Sequence, residues 1–191
     1  MDAGTHRGDR QYDRRANSVT LDIAEIAAAV RQYECPHIVF TGGEPLLQQP
    51  ALAALCDLLG PAYHIEIESN GTVALTADFA PHVHQLNLSP KLGHSGNSES
   101  TRRKEDVLAA YASDHRAWFK FVIADPADAV EVAALSERFA IPAERIILMP
   151  EGTDSDTLRS RTAWLAPLCL DRGWRFTDRL HIHLYGDTRG T

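Results

Sequence analysis

The chain has 191 residues, of which 44% are hydrophobic and 24% charged, enough to bury one sizeable core. Nineteen basic residues against 26 acidic ones give a formal net charge of -7, which excludes an extended nucleic-acid-binding face and favours a small-molecule ligand. No apolar run approaches the roughly 20 residues of a membrane-spanning helix, and the polar start "MDAGTHRGDRQYDRR" is unlike a secretory signal, so the expectation is a cytoplasmic protein with neither nucleic-acid nor membrane partners.

Residues 1 to 18 show no apolar periodicity and read as an irregular arm. In "TLDIAEIAAAVRQYE" the residues Ile23, Ile26, Ala27 and Val30 fall on one helical face. Thr20 is the expected N-cap, Asp22 and Glu25 suit the positive helix start, and the helix should end near Glu34, ahead of Pro36. "HIVFT" reads as a buried strand, and "PALAALCDLLG" as a helix with Pro50 in its first turn and Gly60 just past its end. The strand "YHIEIES" and the turn "NGT" follow, then a short "TADFAPHV" segment, the strand "HQLNLS" and a Gly/Ser-rich loop, "GHSGNSES". A charged helix should begin near Thr101, followed by the strand "AWFKFVI", the helix "PADAVEVAALSERFA", the strand "RIILMP", a helix over about 154 to 172 and the strand "RLHIHLY". Six strands alternating with helices predict one parallel α/β domain over residues 1–191. Cys35, Cys56 and Cys169 include no pair at metal-ligand or redox-motif spacing and read as buried free thiols.

Alternation alone leaves an open doubly wound sheet and a barrel both possible. In "HIEIES", Ile65 and Ile67 share one face while Glu66 and Glu68 share the other, which suits the polar lumen of a barrel; an edge strand with one wet face is the alternative. "TGGEP" then sits where a strand ends and its loop begins, the usual place for a ligand in parallel α/β folds. Gly42 and Gly43 open the backbone to close approach, Glu44 offers an acceptor for an ammonium group, and Pro45 stiffens the exit.

"FTGGEPLLQ" closely resembles the GGEP motif of radical S-adenosylmethionine enzymes. With "IEIESNGT", "LNLSPKL", "FKFV", "ILMPEGTD" and "RLHIHLYGDTRG" in the same order, the chain resembles the 7-carboxy-7-deazaguanine synthase family over about residues 37 to 190. The resemblance implies an incomplete TIM-like barrel. It also implies a carbon-nitrogen lyase that converts 6-carboxy-5,6,7,8-tetrahydropterin to 7-carboxy-7-deazaguanine, with loss of ammonia, on the route to queuosine and other deazapurines. S-adenosylmethionine, a [4Fe-4S] cluster and Mg2+ are the implied cofactors. An electron donor such as flavodoxin or ferredoxin and a homodimer are the implied partners. Reductive cleavage of S-adenosylmethionine would generate the radical that takes the hydrogen from C6 of the pterin. Carried onto this sequence, Gly42, Gly43, Glu44, Asn70, Ser89, Lys91 and Met149 would hold S-adenosylmethionine, and Thr41, Glu68 and His181 would line the barrel interior against the pterin. On a strand, His181 and His183 would leave the apolar face together. A two-histidine zinc site there has no evident third ligand, and Asn70, Ser89 and Lys91 have ordinary alternatives as turn, cap and solvated charge.

One departure from the family stands out. Three thiolates at CxxxCxxC spacing hold its cluster, and no such triplet occurs here. The segment that would carry it, with the first barrel strand and the Mg2+-binding threonine, would precede "MDAGTHRGDRQYDRR". Either the start is assigned too far downstream, the preferred reading because the later segments are intact, or the chain is a remnant that binds pterin or S-adenosylmethionine without catalysis. Another radical enzyme such as an activase, sharing only GGEP, is a further alternative. A chain without the first strand should expose a sheet edge. The loop "GHSGNSESTRRKED" is either a lid or, by preference, a surface excursion.

Overall fold

The computed structural model describes residues 18–188, so all but the last residue of the expected N-terminal arm lies outside the described residues. Helix α1 (Ile23–Val30) is set by a capping box: Asp22, not Thr20, is the N-cap, accepting from Ala24 N–H while Glu25 accepts from Asp22 N–H. It stops short of Glu34, because Gln32 and Tyr33 donate to the carbonyls three residues back and tighten the exit. The expected apolar stripe is real. Ile23, Ile26, Ala27 and Val30 pack on Leu55 and Leu59 of helix α2 (Gln49–Leu59), which carries Pro50 in its first turn and ends at Gly60.

Six strands follow: β1 (His37–Phe40), β2 (His64–Ser69), β3 (Gln85–Leu88), β4 (Ala117–Ile123), β5 (Ile146–Pro150) and β6 (Arg175–Phe176). All pairings are parallel and the spatial order is β1-β2-β3-β4-β5-β6. A doubly wound sheet reverses its strand order at a switch point, and this sheet does not. It is open, with the sequential winding of an incomplete TIM-like barrel.

Two faces divide the sheet chemically. Ile65, Ile67, Leu86, Leu88, Phe119, Phe121, Ile146 and Leu148 are buried on one face, beneath helices that include α5 (Pro126–Phe139) and α6 (Ser155–Arg172). Glu66, Glu68, Asn87, Trp118, Lys120 and Met149 alternate with them on the other face and are half-buried. β2 pairs with strands on both sides, so its two glutamates belong to a polar sheet face rather than to a wet edge.

Four further sequence expectations are corrected. β1, expected to be buried, alternates exposed and half-buried residues. The charged helix near Thr101 is two helices, α3 (Glu99–Arg102) and α4 (Glu105–Ser113), because Arg103 and Lys104 between them are extended. Cys35 is exposed; only Cys56 and Cys169 are buried. The last strand is not "RLHIHLY": β6 is the two-residue segment before it, and the motif itself forms helix α7 (Leu180–Tyr185). Six residues are too few for apolar spacing to separate strand from helix. Its apolar residues also share no buried face, since Ile182 is buried while Leu180 and Leu184 are 65% and 61% exposed. No helix among the described residues is long and apolar enough to cross a membrane.

Candidate functional site

Glu44 organises the loop after β1. It caps the 3-10 turn Pro45–Gln48 by accepting from Leu46 N–H at 3.1 Å, and it also accepts from the Ser69 hydroxyl at 3.0 Å and from Asn70 N–H at 2.9 Å. One carboxylate thereby ties the end of β1 to the end of β2. Three of its roughly four lone-pair sites are used within the protein. Gly42 has φ +130°, a conformation L side chains rarely adopt, whereas a Cβ on Gly43 would meet nothing within 4 Å. Gly42 therefore answers to the turn, and Gly43 leaves open space.

The neighbouring loops are fixed in the same way. Asn70 Oδ1 accepts from the N–H and hydroxyl of Thr72, so the expected turn forms, while its Nδ2 donates to nothing among the described residues. Ser89 N–H donates to the Ser69 carbonyl at 2.7 Å, which places Ser89 beside Asn70 at the next strand end. Beyond Lys91, the loop predicted as a surface excursion is clamped to α5. Gly93 N–H donates to Glu131 at 2.8 Å, His94 meets the buried Asp128 at 2.7 Å, and Arg102 and Arg103 both reach Glu131. Burial acts upward on the Glu131 carboxyl, but the Gly93 N–H and the two guanidiniums outweigh it and hold it below the usual carboxylate range.

Seven predicted residues, Thr41, Gly42, Gly43, Glu68, Asn70, Ser89 and Lys91, line one cleft of about 250 Å³ at the C-terminal ends of β1, β2 and β3. A broader hollow of about 770 Å³ shares its glycines and adds Glu44. A third, of about 280 Å³, shares Ser89 and Lys91 and adds Lys120, Val122 and Arg179. Glu68 accepts from Lys120 Nζ at 3.3 Å across the sheet, so the cleft's carboxylate is paired with a cation that lines the adjoining hollow.

Met149 and His181 do not join this cleft. Met149 lies on β5 in register with Val122, next to a loop that is built for packing: Arg161 binds Glu151, and a Cβ on Gly152 would come within 2.9 Å of Leu158. His181 is exposed on α7, where residues two apart point to different sides, so His181 and His183 do not leave one face together. His183 instead contacts Asp178 and Ser155.

Sequence reasoning passed over Ser69, Lys120 and Arg179. A lone charge inside "AWFKFVI" was the signal for Lys120. Arg179, whose Nε is buried without a partner among the described residues, and Ser69, a buried hydroxyl, left none.

Comparison with known proteins agrees with the motif order. The chain is 34% identical over 194 aligned positions to the 7-carboxy-7-deazaguanine synthase of Halobacterium salinarum, covering 90% of this chain and 74% of that protein. It is 34% identical over 187 positions to the protein of that name from Pyrobaculum aerophilum, covering 95% and 81%, and 29% identical over 185 to that of Rhodopirellula baltica, covering 88% and 69%. No family model matches the chain.

Proposed function

This chain belongs to the 7-carboxy-7-deazaguanine synthase family, and on that premise we propose that its cleft binds S-adenosylmethionine beside 6-carboxy-5,6,7,8-tetrahydropterin for conversion to 7-carboxy-7-deazaguanine with loss of ammonia. The observation that carries the proposal is the convergence of Thr41, Gly42, Gly43, Glu68, Asn70, Ser89 and Lys91 on one cleft from three strand ends.

The donors suit S-adenosylmethionine. Backbone groups of Gly42 and Gly43 meet its ammonium end, where the absent side chains leave room. The free Asn70 Nδ2 and the Ser89 hydroxyl offer hydrogen bonds to its polar parts, and Met149 offers an apolar contact to the adenine. When bound, this cofactor supplies the hydrogen-abstracting chemistry. Glu68, held by Lys120, reads paired donors on the pterin ring, with Thr41 beside it. Lys91, Lys120 and Arg179 line the adjoining hollow and suit a carboxylate, a group both ligands carry.

The remaining cofactors of the family do not fit these residues. Cys35 is exposed ahead of β1, while Cys56 and Cys169 are buried in α2 and α6, where burial pushes both thiols up to about 11. That is no ligand set for a [4Fe-4S] cluster. Glu68 is the single carboxylate among the residues lining the cleft and is assigned here to the pterin, whereas Mg2+ needs several oxygen ligands. A second reading is a module that binds both ligands without turning them over.

Anaerobic calorimetry of the chain with each ligand tests the proposal. Both should bind saturably, and Glu68→Gln should weaken the pterin by about tenfold, the scale of one charge-assisted hydrogen bond, while sparing S-adenosylmethionine. Absence of binding by both ligands would overturn the proposal. Iron and sulfide content after anaerobic reconstitution, with pterin turnover, separates the two readings: binding with neither favours the module.

A further inference from the structure

We propose that His37, His64 and Glu66 form a site for a divalent first-row transition cation of the Zn2+ type, at the end of the sheet opposite the cleft. His37 and His64 open β1 and β2 and are lateral partners in the parallel register. Glu66 lies two residues along β2, on the same face as His64. One ring nitrogen from each histidine and one carboxylate oxygen all lie within 4.8 Å of one another, and His64 Nε2 is 3.7 Å from Glu66 Oε1. Tetrahedral Zn2+ with bonds of about 2.0–2.1 Å holds its ligand atoms about 3.3 Å apart. Side-chain rotation covers the difference.

The surroundings orient these ligands. Glu66 Oε2 accepts from Asn87 Nδ2 at 3.2 Å and Gln85 Nε2 at 3.4 Å, which leaves Oε1 on the His64 side. The His64 ring lies between the rings of His37 and His84, with centroids 5.0 and 4.8 Å away. His84 is not a ligand, because its Nδ1 accepts from Ile65 N–H and is committed to the sheet. Two imidazoles and a carboxylate form a donor set for Zn2+, Co2+ or Fe2+ rather than for Mg2+ or Ca2+, and three protein ligands leave a position open for water.

The site stands apart from the proposed reaction. At about 3.3 Å per residue, the first residues of β1 and β2 lie on the order of 15 Å from the loops that bear Gly43 and Asn70. Its effect is mechanical: the cation joins β1, which pairs on one side only among the described residues, to β2. Binding to the folded state alone then stabilises that edge.

The chelator-washed chain, titrated with Zn2+ by equilibrium dialysis at pH 7.5, tests the site with no reference to catalysis. The chain should bind one more equivalent of Zn2+ than the His37→Ala/His64→Ala double variant, and Co2+ should give the visible absorption of a low-symmetry site. Glu66→Gln, which alters a direct ligand, should weaken binding by at least the roughly 10- to 100-fold that loss of an outer-shell partner costs, and Zn2+ should raise the thermal midpoint of the parent but not of the double variant. His115→Ala, on an exposed histidine elsewhere, is the control and should bind as the parent does. His37 is exposed, so His37→Ala alone provides the test should the double variant unfold. Equal stoichiometry and equal midpoint shifts in parent and His37→Ala would overturn the proposal.

Discussion

The rim over β1, β2 and β3 and the rim over β5 and β6 are built differently, although motif residues mark both. On the first, each loop is bonded to its neighbour: Glu44 to Ser69 and Asn70, Ser89 to Ser69, and the loop after Lys91 to α5. On the second the loops are tied as well, Arg161 to Ala124 and Glu151, Arg179 to Gly152 and His183 to Ser155, but the final motif is a six-residue helix that leaves Leu180, Leu184 and Tyr185 exposed. Short parallel strands fix only where a loop begins. Polar bonds between consecutive loops fix where it goes, and on the second rim they hold the loops ahead of α7 while three large side chains of α7 stay in solvent.

Removing Glu44 should break the first rim most severely. Glu44→Ala leaves the Ser69 hydroxyl and the Asn70 N–H without their acceptor, and hydrogen bonds to a charged group are worth about 1.5–3 kcal/mol each. Because the site is only partly buried, the expected loss in urea denaturation is about 2–3 kcal/mol, and S-adenosylmethionine binding should disappear from calorimetry with it. A loss below about 0.5 kcal/mol, the scale of an ordinary surface substitution, would show that the loops hold each other without this carboxylate.

The adjacent glycines sharpen the comparison, because the two act through different states. Gly42→Ala should destabilise the chain by about 1–3 kcal/mol, the cost of holding an L residue in a rare backbone region, since Gly42 sits at φ +130°. Gly43→Ala should leave stability nearly unchanged, as its Cβ meets nothing within 4 Å, and should still weaken S-adenosylmethionine by about tenfold if a ligand occupies that space. Parallel denaturation and binding curves distinguish the two. Equal behaviour of both variants would mean that the second glycine serves the turn and not a ligand.

Legibility in the sequence followed the same divide. The first rim could be read because "TGGEP", "SNGT" and "LSPK" each follow an unambiguous strand, and alternation in "HIEIES" already set Glu68 apart from Ile65 and Ile67. Strand type and sequential order sufficed to gather those residues. What could not be read was where side chains spend their hydrogen bonds. Glu44 looked like a free acceptor and is the cap of its own loop. Ser69 lies inside a strand and drew no notice, yet it receives the next loop through its carbonyl and meets Glu44 through its hydroxyl. The second rim failed for another reason. "LHIHLY" satisfies period 2 and a helical turn equally, and the chain after β6 took the helix.

That ambiguity gives the second rim its own test, with the smallest expected effect. As α7 stands, His181 is exposed and does not line the cleft with Thr41 and Glu68. His181→Ala should therefore change stability by less than about 0.5 kcal/mol, as exposed substitutions do. Pterin affinity should then shift by less than about twofold, the same energy converted at about 1.4 kcal/mol per tenfold. A loss of tenfold or more would mean that α7 moves over the cleft when the pterin binds. Arg179 is the reason to look, because it precedes α7, lines the cationic hollow and keeps a buried Nε without a partner among the described residues. A ligand carboxylate that engaged Arg179 would compete with its bond to the Gly152 carbonyl and pull on the start of α7.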